Sequence, residues 1–326
     1  MERVSELEKQ QEEVWKNSLF PAKKNKEWIE VIKNLREISE IRIRVNKPVL
    51  IYLNGKEKIL GKNGEIQEEE TEARFLSESE LNELVDHWCQ NSRYAFENQT
   101  KQGFLTLKYG HRVGICGEPV LDDKDTIQRI KYISSVNIRI AHEKKGVAEK
   151  ILPYLYEKNR VKNLLIISPP GAGKTTMLRD LIRIISDGNS RARGQNVALI
   201  DERKEIAACY QGIPQLEIGK RTDIMDGCSK IKGMRMVLRS MSPDVIAVDE
   251  IGEEQELSFI CHILQSGSSI IASVHGDSYE KIRTKKMFRK IFQNDYFELI
   301  LELKKEENQF HTAIYEGGNM IPCFIC

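Results

Sequence analysis

The segment Ser168-Pro-Pro-Gly-Ala-Gly-Lys-Thr-Thr176 combines small residues with a lysine and two hydroxyls, the residue types of a phosphate-binding loop. Small residues let the backbone N–H groups curve around the β- and γ-phosphates of a nucleotide, and the N-terminus of a following helix adds partial positive charge. Lys174 is expected to reach the β/γ oxygens, and the Thr175 hydroxyl to bind Mg²⁺. The residues predicted to contact the nucleotide are Pro170, Gly171, Ala172, Gly173, Lys174, Thr175 and Thr176.

The sequence on either side of this loop supports the interpretation. Leu164–Ile167 is an apolar run typical of a buried parallel strand, and the apolar spacing of Met177–Ile185 predicts a helix. A chance glycine- and proline-containing loop before a helix is the alternative. The usual pattern begins with a glycine where this chain has Ser168, which predicts a different backbone turn at the start of the loop.

A second apolar run, Val245–Val248, ends in two adjacent acids, Asp249 and Glu250. A buried strand would deliver Asp249 to the phosphate end of the sheet, where its carboxylate can hold Mg²⁺ through water. Glu250 is then placed to orient or deprotonate the attacking water. A surface glutamate at the end of a strand is the alternative.

Two further strand candidates end in residues that could serve the same site. His275 ends an apolar run and would point at the γ-phosphate region, where it could sense the state of the nucleotide, unless it is a structural histidine. Another apolar run leads into Asp201, Glu202 and Arg203. These charges could position the lytic water, reach a neighbouring subunit or form a structural ion-pair network.

Net charge, the lengths of apolar stretches and the motifs that are absent exclude several classes of protein. The 50 Lys and Arg residues balance 49 Asp and Glu residues, so net charge does not indicate nonspecific nucleic-acid binding. No apolar stretch approaches the roughly 20 residues that span a bilayer, and residues 1–26 lack a signal-peptide core, so we expect a cytosolic protein. The Asn-Lys-x-Asp motif for guanine and the protein-kinase signatures are absent, which favours a motor ATPase.

The seven cysteines fit reduced cytosolic thiols. Cys323 and Cys326 have the spacing of a redox or metal-binding pair, but one pair supplies too few ligands for zinc. We therefore interpret them as part of a structural or inert tail.

The chain is predicted to divide at the polar segment Ala141–Gly146, where β-rich patterning gives way to strands that alternate with helices. Residues 1–142 are predicted to form a smaller α+β N-terminal domain, with a helical arm at residues 1–26. Residues 143–326 are predicted to form an α/β, RecA-like P-loop ATPase core with a parallel-rich sheet. The predicted N-terminal elements are strands at Ile41–Val45, Pro48–Leu53, Gly103–Leu107, His111–Cys116 and Val136–Ala141 and a helix from Ser77 to about Phe96. Phe297–Leu303 and Phe310–Tyr315 predict a terminal antiparallel hairpin.

Several longer blocks resemble the stage III sporulation protein AA family, and the resemblance extends over nearly the whole chain. The blocks are Glu40–Pro48, Gly110–Gly117, Ile133–Ile140, Pro169–Asp180, Asp201–Ala207, Arg221–Cys228 and Arg239–Gly252. Because several are longer than generic phosphate-loop motifs, the resemblance is specific.

The resemblance implies a secretion-type ATPase in the cytoplasm of the mother cell of an endospore-forming bacterium. Such a protein hydrolyses ATP·Mg²⁺ to serve the channel between mother cell and forespore. It is expected to form a homo-oligomer, a ring hexamer, and to dock at the membrane through a small membrane-anchored partner similar to stage III sporulation protein AB.

The same resemblance assigns further site residues. It places Asp201 and Glu202 in an acidic box and matches His275 to a histidine box. An arginine from a neighbouring subunit or from the N-terminal domain would complete each site by contacting γ-phosphate oxygens. The candidates are Arg112, Arg139, Arg203, Arg221 and Arg239, with Arg112 the first choice.

Two other functions stay open at this point. A nucleic-acid-remodelling P-loop ATPase is disfavoured by the neutral charge balance and by the lack of a basic, aromatic-rich segment. A nucleotide-gated scaffold that binds ATP with little turnover is compatible with Ser168 and with a dependence on neighbouring subunits.

Overall fold

The computed structural model describes residues 18–24, 26–101, 103–306 and 309–321. The chain forms two compact units, Met1–His142 and Glu143–Cys326. The predicted helical arm lies largely outside the described residues, and Cys323 and Cys326 lie outside them entirely. Within the described ranges, no helix is both long enough and apolar enough to cross a membrane.

The first unit is built on an antiparallel sheet. Its strands are β1 Ile38–Arg44, β2 Leu50–Leu53, β3 Lys56–Leu60, β4 Ile66–Gln67, β5 Phe104–Thr106, β6 Arg112–Leu121 and β7 Ile127–Arg139, and its helices are α1 Ile29–Lys33, α2 Glu78–Trp88 and α3 Glu97–Lys101. The strand order is β4-β3-β2-β1-β7-β6-β5. Alternation along β1 buries Ile41 and Ile43 on one face, as expected when one face of a sheet packs on a core.

Two predictions for this unit are wrong in extent. The helix predicted to run from Ser77 to about Phe96 ends at Trp88, because Gln90 and Asn91 take up positive φ angles of 51° and 57°. The strands β6 and β7 continue beyond their predicted ends into a long hairpin. From Glu118 onwards β6 pairs with β7 alone and lies beyond the rest of the sheet. The residues of this extension therefore do not alternate between buried apolar and exposed polar positions, which is the pattern that would predict a strand.

The second unit contains the phosphate loop. Its strands are β8 Tyr156–Glu157, β9 Arg160–Val161, β10 Leu164–Ser168, β11 Val197–Asp201, β12 Thr222–Asp226, β13 Val245–Val248, β14 Ser269–His275, β15 Leu299–Glu306, β16 Gln309–Glu316 and β17 Asn319–Ile321. Its helices are α4 Leu152–Leu155, α5 Lys174–Asp187, α6 Lys230–Ser240, α7 Glu254–Gln265, α8 Tyr279–Thr284 and α9 Arg289–Gln293.

The main sheet of this unit has the strand order β12-β11-β13-β14-β10-β15-β16-β17. The first six strands in this order, β12, β11, β13, β14, β10 and β15, are parallel to one another. The last two, β16 and β17, are antiparallel and form one edge of the sheet. Both faces of β10 are buried: Leu164 and Ile166 pack in one core with Leu181 of α5, while Leu165 and Ile167 pack in the other. Burial on both faces explains why the strand is a continuous apolar run.

Ser168 ends β10 without any unusual backbone turn. It pairs in register with His275 of β14, and its hydroxyl donates a hydrogen bond to the Pro169 carbonyl oxygen at 2.9 Å. Positive φ angles in the loop begin only at Gly171. The predicted change of backbone turn at Ser168 is therefore wrong, because the position that glycine usually occupies is here part of the strand.

Replacing Ser168 by glycine should leave the affinity for ATP within about threefold of wild type, because the serine is already in a strand conformation. The free energy of unfolding should fall by roughly 0.5–1 kcal/mol, the usual cost of glycine in a strand. Calorimetric titration with ATP and urea unfolding measure the two quantities. The Ser168→Ala variant controls for loss of the hydroxyl alone, and a tenfold gain in ATP affinity in Ser168→Gly would contradict the prediction.

Candidate active site

The ends of four parallel strands meet at one edge of the second sheet. The strands β11, β13, β14 and β10 are consecutive neighbours and run in the same direction, so the segments that follow them share that edge. Asp201 is the last residue of β11, His275 is the last residue of β14, Asp249 directly follows β13, and the phosphate loop follows Ser168 of β10. Four apolar strands thus bring together charged residues that are far apart in the sequence.

The phosphate loop depends on two glycines. Gly171 and Gly173 have φ angles of +73° and +88°, a region that side-chain-bearing residues rarely adopt. Gly173 caps α5, and Lys174, Thr175 and Thr176 form the first turn of that helix. The first N–H groups of a helix have no partner inside the helix, so this turn provides donors for a bound anion.

Lys174 is enclosed by the two acids that follow β13. Its side chain is only 6% exposed, and its Nζ lies 3.2 Å from Asp249 Oδ1 and 2.9 Å from Glu250 Oε1. A buried ammonium group requires such partners because removal from water disfavours its charged form. The lysine expected to bind phosphate is therefore neutralised by two carboxylates of its own chain.

Glu250 is the centre of the charge cluster. Its Oε1 also lies 2.8 Å from His275 Nε2, and its Oε2 lies 2.9 Å from Arg203 Nη1. Burial opposes its ionisation, but the hydrogen bond from Lys174 and the charges of Lys174, Arg203 and His275 outweigh burial and lower the pKa of Glu250 below its ordinary value of 4.5. The carboxylate is consequently ionised at neutral pH.

Ser273 joins the two acids and was not found by sequence reasoning. Its hydroxyl donates to Asp249 Oδ1 and accepts a hydrogen bond from the Glu250 backbone N–H at 2.9 Å. Glu250 has a left-handed φ of +52°, which turns the chain just after β13. The signal in the sequence was a polar residue inside the otherwise apolar run before His275, now seen fully buried on β14.

Asp201 shapes the loop that carries Glu202 and Arg203. Its two carboxylate oxygens accept hydrogen bonds from the backbone N–H groups of Glu205, Ile206 and Ala207 at 2.9, 3.1 and 2.9 Å. Burial raises the pKa of Asp201, against the lowering effect of these hydrogen bonds. Asp201 is thus an anchor for the loop backbone.

Glu202 lies beside a second lysine that sequence reasoning missed. Lys230 Nζ is 3.4 Å from Glu202 Oε2, 2.9 Å from Glu256 Oε1 and 2.8 Å from the Glu250 carbonyl oxygen. Burial alone would lower the pKa of Lys230, but the hydrogen bond and charge of Glu256 and the charge of Glu202 raise it overall. Glu202 is therefore connected to the cluster through Lys230 and the backbone of Glu250.

The five candidate arginines occupy different environments. Arg203 contacts Glu250 within its own chain. Arg221 donates from Nη1 to the Ser186 carbonyl oxygen at 2.9 Å and supports the end of α5, while Arg239 is exposed in the last turn of α6. Arg112 and Arg139 are cross-strand neighbours in the first unit, and the Arg112 guanidinium lies 3.9 Å from the centroid of the Phe104 ring. A role for any of them in trans stays a prediction.

The oxygen donors at this site suit a magnesium ion. Thr175 contributes a hydroxyl in the first turn of α5, and Asp249 contributes a carboxylate held by Ser273. Hydroxyl, carboxylate and phosphate oxygens are hard ligands of the kind that Mg²⁺ prefers. Lys174 Nζ and Asp249 Oδ1 are 3.2 Å apart, so a metal beside Asp249 would lie next to any phosphate bound by Lys174.

Comparison with known proteins places the chain in a family. A profile of the family described as Sporulation stage III, protein AA matches residues 8–319. Stage III sporulation protein AA of Bacillus subtilis (strain 168) is 38% identical over 287 residues, which cover 87% of this chain and 89% of that protein. The chain belongs to the stage III sporulation protein AA family, and the resemblance seen in its sequence is confirmed.

Two solved structures share the fold. The Legionella pneumophila ATPase DotB aligns with a TM-score of 0.55 and 14% identity over 88% of this chain and 78% of DotB. The pilus retraction motor PilT, solved with bound ADP, aligns with a TM-score of 0.58 and 15% identity over 90% of this chain and 82% of PilT. These likenesses confirm the predicted fold class, a P-loop ATPase core preceded by a smaller α+β domain.

Replacing Asp201 by alanine should destabilise the second unit, because three backbone N–H groups would lose their acceptor. We expect the free energy of unfolding to fall by roughly 3–5 kcal/mol, since each of the three donors left without an acceptor costs at least about 1 kcal/mol. Chemical unfolding measures this change. The matched control is Asp223→Ala, an exposed aspartate on β12, which should stay within about 0.5 kcal/mol of wild type. Equal effects of the two variants would contradict the anchoring role.

The stabilising contribution of Glu250 should depend on pH. Because its pKa is lower in the folded chain, ionised Glu250 stabilises the fold above its ordinary value of 4.5, and this contribution is lost as pH falls through the lowered pKa. Glu250→Gln should therefore unfold more easily than wild type at neutral pH, and the difference should shrink below that value. Unfolding curves across pH test this, with the exposed Glu217→Gln as control. A difference that does not change with pH would refute it.

Proposed function

We propose that this member of the stage III sporulation protein AA family binds ATP with Mg²⁺ and hydrolyses it to ADP and phosphate. The observation that carries the proposal is the position of Lys174, which lies within 3.2 Å of both Asp249 and Glu250 beside a two-glycine loop. Groups suited to phosphate, metal and water are thus gathered at one strand edge. DotB is an ATPase and PilT is a pilus retraction motor solved with bound ADP, and the fold that they share with this chain supports the same activity.

Nucleotide binding would change the partners of Lys174. The β- and γ-phosphate oxygens compete with Glu250 for the ammonium group, and Glu250 Oε1 becomes available to accept a hydrogen bond from water. Arg203 and His275 would still hold the carboxylate. Since the contact with Lys174 lowers the pKa of Glu250, its loss raises that pKa and makes Glu250 a better acceptor for the proton of the attacking water.

Thr175 and Asp249 would hold the metal, which would neutralise charge on the phosphates. Ser273 would hold the Asp249 carboxylate beside the Glu250 backbone, which keeps the residue proposed as base next to the proposed metal ligand. Glu202 is proposed to support this arrangement through Lys230, which holds the Glu250 carbonyl oxygen. His275 is proposed to sense the γ-phosphate through its contact with Glu250, and Arg112 is proposed as the arginine that completes the site of a neighbouring subunit.

At the level of the cell, we propose that the protein works in the mother cell during endospore formation. A homo-oligomeric ring, with six subunits as the expected number, would act on the cytoplasmic side of a secretion-like membrane channel. A small membrane-anchored partner similar to stage III sporulation protein AB would dock it there. The family to which the chain belongs and the fold it shares with the ATPase DotB and the pilus retraction motor PilT support this role.

One observation favours a second candidate, a nucleotide-gated scaffold with little turnover. In the chain by itself, Lys174 and Glu250 neutralise each other, so the residue expected to act on water is engaged. If a partner is needed to separate them, ATP binding could control assembly without rapid hydrolysis.

The test is steady-state ATP hydrolysis measured against protein concentration. A ring motor should show turnover that rises more steeply than linearly, because neighbouring subunits complete each site. Glu250→Gln should bind ATP but hydrolyse it roughly 10²- to 10⁴-fold more slowly, the usual contribution of a general base. Lys174→Ala should lose ATP binding, and Glu217→Gln should behave as wild type.

The alternatives give different results in the same assay. Tight ATP binding with negligible turnover at every concentration would favour the scaffold. Wild-type hydrolysis rates in both Lys174→Ala and Glu250→Gln would reject the proposed mechanism.

A further inference from the structure

The antiparallel hairpin at the edge of the second sheet overhangs the phosphate loop. β15 pairs with β10 in parallel as far as Ile167 opposite Glu302. It continues to Glu306 and pairs there with β16 alone, up to the pair between Glu306 and Gln309. Because β10 and β15 run in the same direction, this extension projects from the edge at which the phosphate loop begins.

The extension brings an aromatic ring to the loop. Phe310 of β16 is opposite Lys305 of β15, and its side chain is 49% exposed. A methyl group built on Gly173 would lie 3.8 and 3.9 Å from Cε1 and Cδ1 of the ring, so the ring lies next to the loop through that edge. Lys305 Nζ lies 5.7 Å from the ring centroid and is positioned over the ring. An exposed phenylalanine beside a phosphate loop is not required for the core.

The position of the ring relative to the acids indicates which part of a nucleotide it would meet. Asp249, Glu250 and His275 belong to β13 and β14, which lie on one side of β10, whereas β15 and β16 lie on the other. A nucleotide whose γ-phosphate faces the acids extends its ribose and base away from them, toward the side of the hairpin. That side presents an apolar ring with a cation beside it.

We propose that Phe310 is a stacking platform for the base of the bound nucleotide. Every nucleobase has a π face that can stack on an aromatic side chain, whatever hydrogen-bonding groups its edge carries. Such stacking contributes substantially to binding. Phe310 carries no hydrogen-bonding group, so it favours nucleotides over inorganic phosphates without distinguishing adenine from guanine. This inference rests on the proposed binding of a nucleotide at Lys174.

Calorimetric titration of the full chain with ATP, GTP and inorganic tripolyphosphate tests the platform. Phe310→Ala should weaken ATP and GTP by similar factors, about 5- to 50-fold, and leave tripolyphosphate unchanged, because only the base is affected. Phe310→Tyr should bind all three ligands as wild type does. Met320→Ala, which removes another exposed apolar side chain from the neighbouring strand β17, is the matched control and should have no effect.

Each other result has a distinct meaning. Equal weakening of ATP and tripolyphosphate in Phe310→Ala would show that the ring supports the loop backbone, and would overturn the platform. Unchanged ATP affinity in that variant would also overturn it. If wild type binds tripolyphosphate but gains nothing from the base of ATP, the platform fails while the phosphate site stands. If wild type binds none of the three ligands, the proposed function fails first.

Discussion

The second unit depends on neutralising one buried cation. Lys174 begins α5 almost completely removed from water, and its charge is tolerated because two carboxylates lie within 3.2 Å. Those carboxylates follow β13, which is separated from the strand that carries the phosphate loop by β14. The requirement for charge compensation therefore links three strands, and Ser273 on the middle strand connects both acids. A change in the packing of β14 would move the acids relative to the lysine.

The same cluster concentrates three positively charged or protonatable groups on one acid. Glu250 contacts Lys174 and His275 through Oε1 and Arg203 through Oε2, so both oxygens of its carboxylate have partners within the protein. Under the proposed function, a bound triphosphate would replace the contact of Lys174 with Glu250, while Arg203 and His275 would stay in place. Part of the attraction between nucleotide and site would then be used to free one contact of the proposed base.

The sheet separates this polar chemistry from an apolar surface. Acids and histidine lie on one side of β10, whereas the hairpin with Phe310 lies on the other. The family profile covers both sides, since it spans residues 8–319. The loop anchored by Asp201 adds a further layer, because the three backbone hydrogen bonds that Asp201 accepts fix the segment from which Arg203 reaches Glu250.

The fold class, the family and the short segments that carry the phosphate loop, the acid pair and His275 could all be predicted from the amino-acid sequence. The three segments are encoded locally, because two glycines with a lysine, or an apolar strand that ends in a charge, can be recognised within a few residues. The fold class and the family follow from patterns and blocks spread along the chain. The contacts of Ser273, Lys230 and Arg203 with the acids, and the place of Phe310 beside Gly173, were decided only by the tertiary structure. They depend on which strands become neighbours and how far each extends past the next, and strand order arises from long-range packing that no short segment contains. Arg221 illustrates the same limit. As an arginine it was a candidate for phosphate binding, but in the structure its guanidinium donates a hydrogen bond to the Ser186 carbonyl oxygen near the end of α5.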